Sequence, residues 1–424
     1  MRLVGSLGGV ALVTTLSACG GSEPTVPSAS MNMGGRIAGG GMASGATSGG
    51  LGGGGMALGG GGSHAAGDGA GAGAGGADPD CIAPPSTLPC APLGVMPVSL
   101  KATGLFPALP DWTQHAPGLQ EYAPDPALWS DGMEKQRFLL LPKGTKIDTT
   151  NRKQWVFPEG TLFVKTFFDE TGPQATLRPI ETRLIRAAAG SAYEFFVYQW
   201  SQDSTDATLV VNDLNGDINA NVSLMVSLEA VNGGTPFSHT LPSRNECGQC
   251  HEKNAVVAQT IIGFDELRLN TKLRVDAPRT QLREFADAGL FTQPPPADPA
   301  TITDASNDGG RLLRIKRFVF GNCVSCHNGD SQFDLRPDVF VTHTVGKPTE
   351  AQSVMPPEGW LRVVPGDASK SVLYVQMQRT MLPPEVNGRR LRAMPPIGLN
   401  DVAAEQSALE DVREWITSLP GDRQ

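Results

Sequence analysis

Cys247-Gly248-Gln249-Cys250-His251 and Cys323-Val324-Ser325-Cys326-His327 repeat one pattern: two cysteines three positions apart, with a histidine directly after the second. With only 6 His in 424 residues, a histidine at both following positions has a chance of roughly two in ten thousand. Two thiols one short turn apart suit thioether bonds to the two vinyl groups of a porphyrin, and the next residue brings an imidazole to its iron from the same side. The pattern therefore predicts two covalent haems c, attached at Cys247 and Cys250 and at Cys323 and Cys326, with His251 and His327 as iron ligands. A zinc ribbon would separate its cysteine pairs by about 15 to 20 residues, whereas about 70 residues lie between Cys250 and Cys323. A thioredoxin-like dithiol should end a strand in an alternating strand and helix pattern, and none surrounds Cys247.

The other three cysteines are Cys19, Cys81 and Cys90. Arg2, a modestly apolar run from Leu3 to Leu16 and then Leu16-Ser17-Ala18-Cys19 read as an export signal with a small-residue cleavage site. The last four residues resemble the bacterial lipoprotein box, which implies lipidation of Cys19 and, with Gly20 next, an outer-membrane location facing the periplasm. Cys81 and Cys90 bracket a proline-rich loop in an exported chain, so a local disulfide is expected there. No later apolar run reaches the roughly 20 residues of a membrane span, so the expected membrane contact is the lipid anchor alone. A net charge of −9 without basic clusters argues against nucleic acid as a partner.

The expected architecture is multidomain: residues 1–18 a signal peptide, 19–92 a lipid-anchored glycine-rich tether, 93–240 a β-rich domain, 241–305 a first haem segment and 306–424 a cytochrome c-like second haem domain. Gly, Ala, Ser and Met dominate the tether, which cannot bury enough apolar surface to offset its ordering entropy and is expected to be disordered. Stretches 137–141, 161–168 and 193–200 are aromatic and β-branched and are separated by Pro- and Gly-containing turns, which predicts strands of a sandwich or small barrel. Trp129, Trp155 and Trp200 are expected at its core or rim. Beyond 245 the period turns helical: 280–291 with Leu282, Phe285 and Leu290 in one stripe, 311–320 leading into the second motif, and a last helix with Leu409, Val412, Trp415, Ile416 and Leu419, capped by Asp401 and stopped by Pro420-Gly421.

Leu128-Trp129-Ser130-Asp131-Gly132, Trp155 to Thr161, Glu181-Thr182-Arg183-Leu184, Pro242-Ser243 ahead of the first motif and Asn322 ahead of the second carry a further signal. In these stretches the chain resembles a bacterial two-haem c-type cytochrome family of unassigned substrate. The resemblance implies a β-rich amino-terminal part and a cytochrome c-like carboxyl-terminal part.

The expected function is single-electron transfer in the cell envelope, with a redox protein as partner. Two alternatives stay open: a two-haem peroxidase-like oxidoreductase with an open first iron, and a β domain that binds an envelope polymer. Met394, before Pro395-Pro396 and the last helix, is the expected sulfur ligand of the second iron, with Met355 and Met381 as rivals and Met377 read as core. Between Cys250 and Met355 the chain has no methionine. For the first iron this leaves His239, Met225, His343, a methionine from the second domain, or water.

Overall fold

The computed structural model describes residues 88, 94–130, 133–171, 176–212, 216–217, 223–226, 237–252, 261–304, 306, 308–329, 333–349, 357–378, 385–386, 389–390, 394 and 403–421. All of them lie in one compact unit, Gly73–Gln424. The signal peptide, Cys19, Cys81, Cys90, Met355, Met381 and the Asp401 cap fall outside the described residues.

Three stretches rich in aromatic and β-branched residues become strands β2 (Glu134–Leu140), β3 (Leu162–Thr171) and β5 (Tyr193–Trp200). With β1 (Gln120–Glu121), β4 (Thr176–Ala187), β6 (Ala207–Asn212) and β7 (Gly216–Asp217) they form one antiparallel sheet whose spatial order follows the sequence. Among the described residues the β-rich part is thus a single meander where a sandwich or small barrel was expected; the only other sheet in this region is the ribbon of β8 (Ser223–Val226) and β9 (Phe237–Thr240). β4 is the strand that composition concealed. It carries four charged side chains and Pro179, which sits where the register with β3 slips at a bulge, a place where a missing amide donor is tolerated.

Both sheet faces are covered, which is why β5 reads as an almost unbroken apolar run. On one face Phe138, Val164, Leu184, Phe196 and Trp200 pack against Leu100, Leu105, Phe106 and Leu109. On the other, Leu139, Phe163 and Phe195 meet Ile261, Phe264, Leu282, Phe285 and Phe291. The residues between the two motifs therefore complete the core of the sheet. Phe264 is fully buried among Tyr122, Trp155, Phe157, Phe163 and Phe285, and its burial contributes about 2–3 kcal/mol.

Helices follow: α1 (Arg244–His251), α2 (Glu266–Leu269), α3 (Gln281–Asp287), α4 (Arg311–Asn322), α5 (Phe340–Thr344), α6 (Val372–Met377) and α7 (Ala403–Ser418). A short ribbon of β10 (Glu385–Val386) and β11 (Arg389–Arg390) precedes α7. Ile315 and Val319 on α4 pack with Val412, Trp415 and Ile416 on α7 and with Phe340 and Met377 in a separate helical core. Arg314 joins α4 to α7 through Asp411 at 2.5 Å, and Arg311 through Glu414 at 2.5 Å. Among the described residues no helix is long and apolar enough to cross a membrane.

Candidate haem-attachment sites

The first motif lies inside a helix because Ser243 starts that helix four residues before Cys247. The Ser243 hydroxyl accepts from the Glu246 amide while the Glu246 carboxylate accepts from the Ser243 amide, a reciprocal cap that fixes the first turn. Cys247 and Cys250 then stand one turn apart. Cys247 packs against the core holding Phe195 and against Val197, Val211 and Leu241. The His251 ring lies 6.0 Å from that of Phe195, and the Arg244 guanidinium lies 5.1 Å over the same ring while pairing with Glu252 at 2.5 Å.

The second motif begins where its helix stops. The Cys323 amide still bonds Val319 at 2.8 Å, but its own φ and ψ (−120°, −37°) leave the helical range, and the amides of Cys326 and His327 both turn back to its carbonyl. Cys323 and Val324 are buried in the helical core. The His327 ring lies tilted at 4.6 Å from that of Phe333, which the Arg362 guanidinium covers from 4.4 Å. Burial first, and then the Arg362 charge, lower the His327 pKa, so the imidazole is neutral at pH 7, the form that binds a metal. Its Nδ1 is buried without a hydrogen-bond partner among the described residues.

A loop from the sheet holds the helix that leads into the second motif. Residues 125–129 run against the end of α4: the Trp129 amide donates to Asn322 Oδ1 at 2.7 Å, Arg317 pairs with Asp125 at 2.5 Å, and a Cβ on Gly321 would lie 2.8 Å from the Ala127 carbonyl, so only glycine fits. Arg268 of α2 closes the junction by donating to the Phe320 carbonyl at 2.7 Å. Burial first, and then the Cys326 charge, push the Cys250 thiol up, while Arg183 and Lys165 act against them.

Those cations belong to the sheet. Glu181, fully buried, holds Arg183 at 2.5 and 2.9 Å and His239 Nε2 at 2.9 Å. Burial alone would raise its pKa; the Arg183 charge and the bonds from His239 and Arg183 outweigh it and bring it down to about 2.

The donor set suits haem c at both places, since none of the four cysteines is in a disulfide and each pair has its imidazole directly after it. Among the described residues no three His, Cys, Asp or Glu side chains converge as a metal-binding group, so the two pairs do not assemble a tetrahedral thiolate site. The other candidates lie elsewhere. His239 is engaged with Glu181, His343 is partly buried on α5, and Met377 is core as expected. Met394 is half-buried and tied by its amide to the Gln376 carbonyl of α6 at 2.9 Å. Trp155 and Trp200 are core residues, and Trp129 borders the second motif, its Nε1 buried without a partner among the described residues. Sequence reasoning missed Arg137, Lys165, Arg183 and Glu181 as a cluster, because strand register, which composition does not disclose, is what aligns them. Comparison with known proteins returns no match to this chain, whether among protein-family models, curated proteins or solved structures.

Proposed function

We propose that this chain is a two-haem c-type cytochrome that passes single electrons in the bacterial cell envelope, a member of the two-haem family it resembles. The observation that carries the reading is the seating of two identical Cys-x-x-Cys-His patterns in one compact unit, each on a packed element with its cysteines outside any disulfide. Haem c, when bound, supplies a one-electron couple. The chain's part is to hold each imidazole on a packed element, beside Phe195 for His251 and beside Phe333 for His327, and to keep the spacing between motifs fixed through Trp129, Asn322 and Arg268. In this reading α4 and α7 frame a cytochrome c-like helical region, Met394 supplies the sulfur ligand of the second iron, and lipid on Cys19 anchors the chain at the outer membrane, where it meets a redox protein. Expressed in a host that matures haem c, the chain should keep haem through denaturing electrophoresis and gain the mass of two haems. A gain of one, or bound zinc instead, overturns the proposal.

One observation favours the peroxidase-like alternative. His239, a candidate for the far side of the first iron, has its Nε2 committed to Glu181. Carbon monoxide added to the reduced protein decides: binding at one haem per molecule, lost in His251→Ala, makes that haem a reaction centre, and no binding leaves electron transfer.

A further inference from the structure

Arg137, Lys165 and Arg183 are direct cross-strand partners on β2, β3 and β4, and Val197 of β5 completes the row. Val197 packs in the small core that Cys247 joins, so the row starts beside the first motif and runs away from it across the sheet. Like charges facing each other across strands are destabilising by up to about 1 kcal/mol per pair. Enclosing them raises the cost further. Arg137 is only 7% exposed, and Lys165 and Arg183 are partly buried, each with its charge 4.4 Å from the Phe167 ring.

Among the described residues the carboxylates do not balance the row. Glu181 is shared between Arg183 and His239, and Glu134, solvent-exposed, attracts Arg137 without reaching ion-pair distance. Lys135, next along the same face, donates to the Leu128 carbonyl at 3.1 Å. Among the described residues neither Arg137 nor Lys165 makes an ion pair. Burial, followed by the charges of Arg137, Arg183 and Lys135, pushes the Lys165 ammonium well below the ordinary lysine range, with Glu181 acting against them.

We propose that Arg137 and Lys165, continuing from Arg183, form a carboxylate-binding site, and that its ligand is the pair of propionates on the porphyrin attached at Cys247 and Cys250. The inference rests on the two-haem reading above. A porphyrin carries its thioether and propionate groups on opposite edges, and strands lie about 4.8 Å apart, so β2 is about 10 Å from β4. Arg183, paired across strands with Val197 beside Cys247, stands at the near end of the row, and Arg137 stands at the far end, where the second edge would fall.

The test uses the full-length, haem-loaded protein in carboxylate-free buffer, with Lys165→Met, Arg137→Met, the double variant and the conservative Lys165→Arg. Resonance Raman propionate modes and midpoint potentials are recorded, and the first haem is assigned by its absence from Cys247→Ala/Cys250→Ala. Each methionine variant should shift the propionate modes and lower the potential of the first haem only, because a nearby cation disfavours ferric iron, and Lys165→Arg should restore both. If these stay unchanged but the wild type binds succinate saturably and the double variant binds it at least tenfold more weakly, the site stands with a free carboxylate as its ligand. Fully loaded variants with unchanged spectra, unchanged potentials and succinate binding equal to wild type overturn the site. If mass shows no haem at Cys247 and Cys250, the two-haem reading is what fails, and the succinate arm alone decides the site.

Discussion

The same five-residue pattern takes two conformations in this molecule. In α1 the helix starts at Ser243 and runs through both cysteines to His251, and the seat beneath is a sheet whose face carries aromatic rings and buried charge. After α4 the helix ends at Cys323, the rest of the motif is a single turn, and the seat is apolar helix packing. The pattern therefore does not dictate its own backbone. Where the preceding helix begins, and what it packs on, decides whether the cysteines stand on a helical face or at its end. The electrostatics differ as well: Arg183 and Lys165 act on the first motif, while Arg362 over Phe333 is the charge that acts on His327.

The comparison breaks most visibly if the motifs are removed one at a time. Cys323→Ala/Cys326→Ala should lose one haem mass and loosen the helical core that Cys323 helps to fill; Cys247→Ala/Cys250→Ala should lose the other and leave that core intact. Mass spectrometry with thermal melts of both variants reads this, and loss of both haems from either variant refutes the independence of the two seats. Met394→Ala sharpens the same contrast. It should abolish the sulfur-to-iron absorption band at the red edge of the spectrum and lower the potential of the second haem alone. If Met355→Ala or Met381→Ala does so instead, the ligand is misassigned.

Next in size are the cores themselves. Trp415 packs 5.5 Å from Phe340 between α5 and α7, and Phe264 is the buried hub of the sheet's aromatic cluster. Trp415→Ala and Phe264→Ala should each cost about 3–5 kcal/mol. Hydrogen exchange should show the first loss in α4 and α7 and the second in the strands. Equal spread of both losses over the whole unit would mean that the two seats melt as one.

The parts legible in the sequence are those where side-chain type alone fixes the structure. Three strands and the helices at 281–287, 311–322 and 403–418 lie where apolar periodicity put them. β4 was hidden because its charged residues are paired or aligned only once neighbouring strands are in place: Arg186 is buried against Glu194 at 2.6 Å, and Arg183 against Glu181. The covering of both sheet faces was hidden for a similar reason, since the burial of 96–109 and 261–291 depends on long-range contact. The link from Trp129 to Asn322 joins residues 193 apart, a distance no local pattern spans.

Acid separates the two regions further. Glu181 titrates near 2 in the folded protein, against 4.5 for an ordinary glutamate. A depressed carboxylate pKa adds stability that is complete above the unfolded value and is lost as pH falls from about 4.5 towards 2, on the order of 3 kcal/mol in all. The sheet region should therefore lose stability over that window, and Glu181→Gln should flatten the decline while lowering stability at pH 7. A wild-type sheet whose melting temperature is unchanged between pH 5 and pH 2.5 would sink this account.

The smallest effect probes the joint between the regions. Asn322 is buried, accepts from the Trp129 amide and donates to the Phe318 carbonyl at 2.9 Å, so Asn322→Ala leaves a buried amide without its acceptor and should cost about 1–3 kcal/mol. Arg317→Ala removes a half-exposed pair with Asp125 on the same surface and should cost under about 1 kcal/mol, since solvent already screens it. If Asn322→Ala melts like the wild type, the joint is held by Arg268 and the close packing at Gly321 instead, and the hydrogen bond is a passenger.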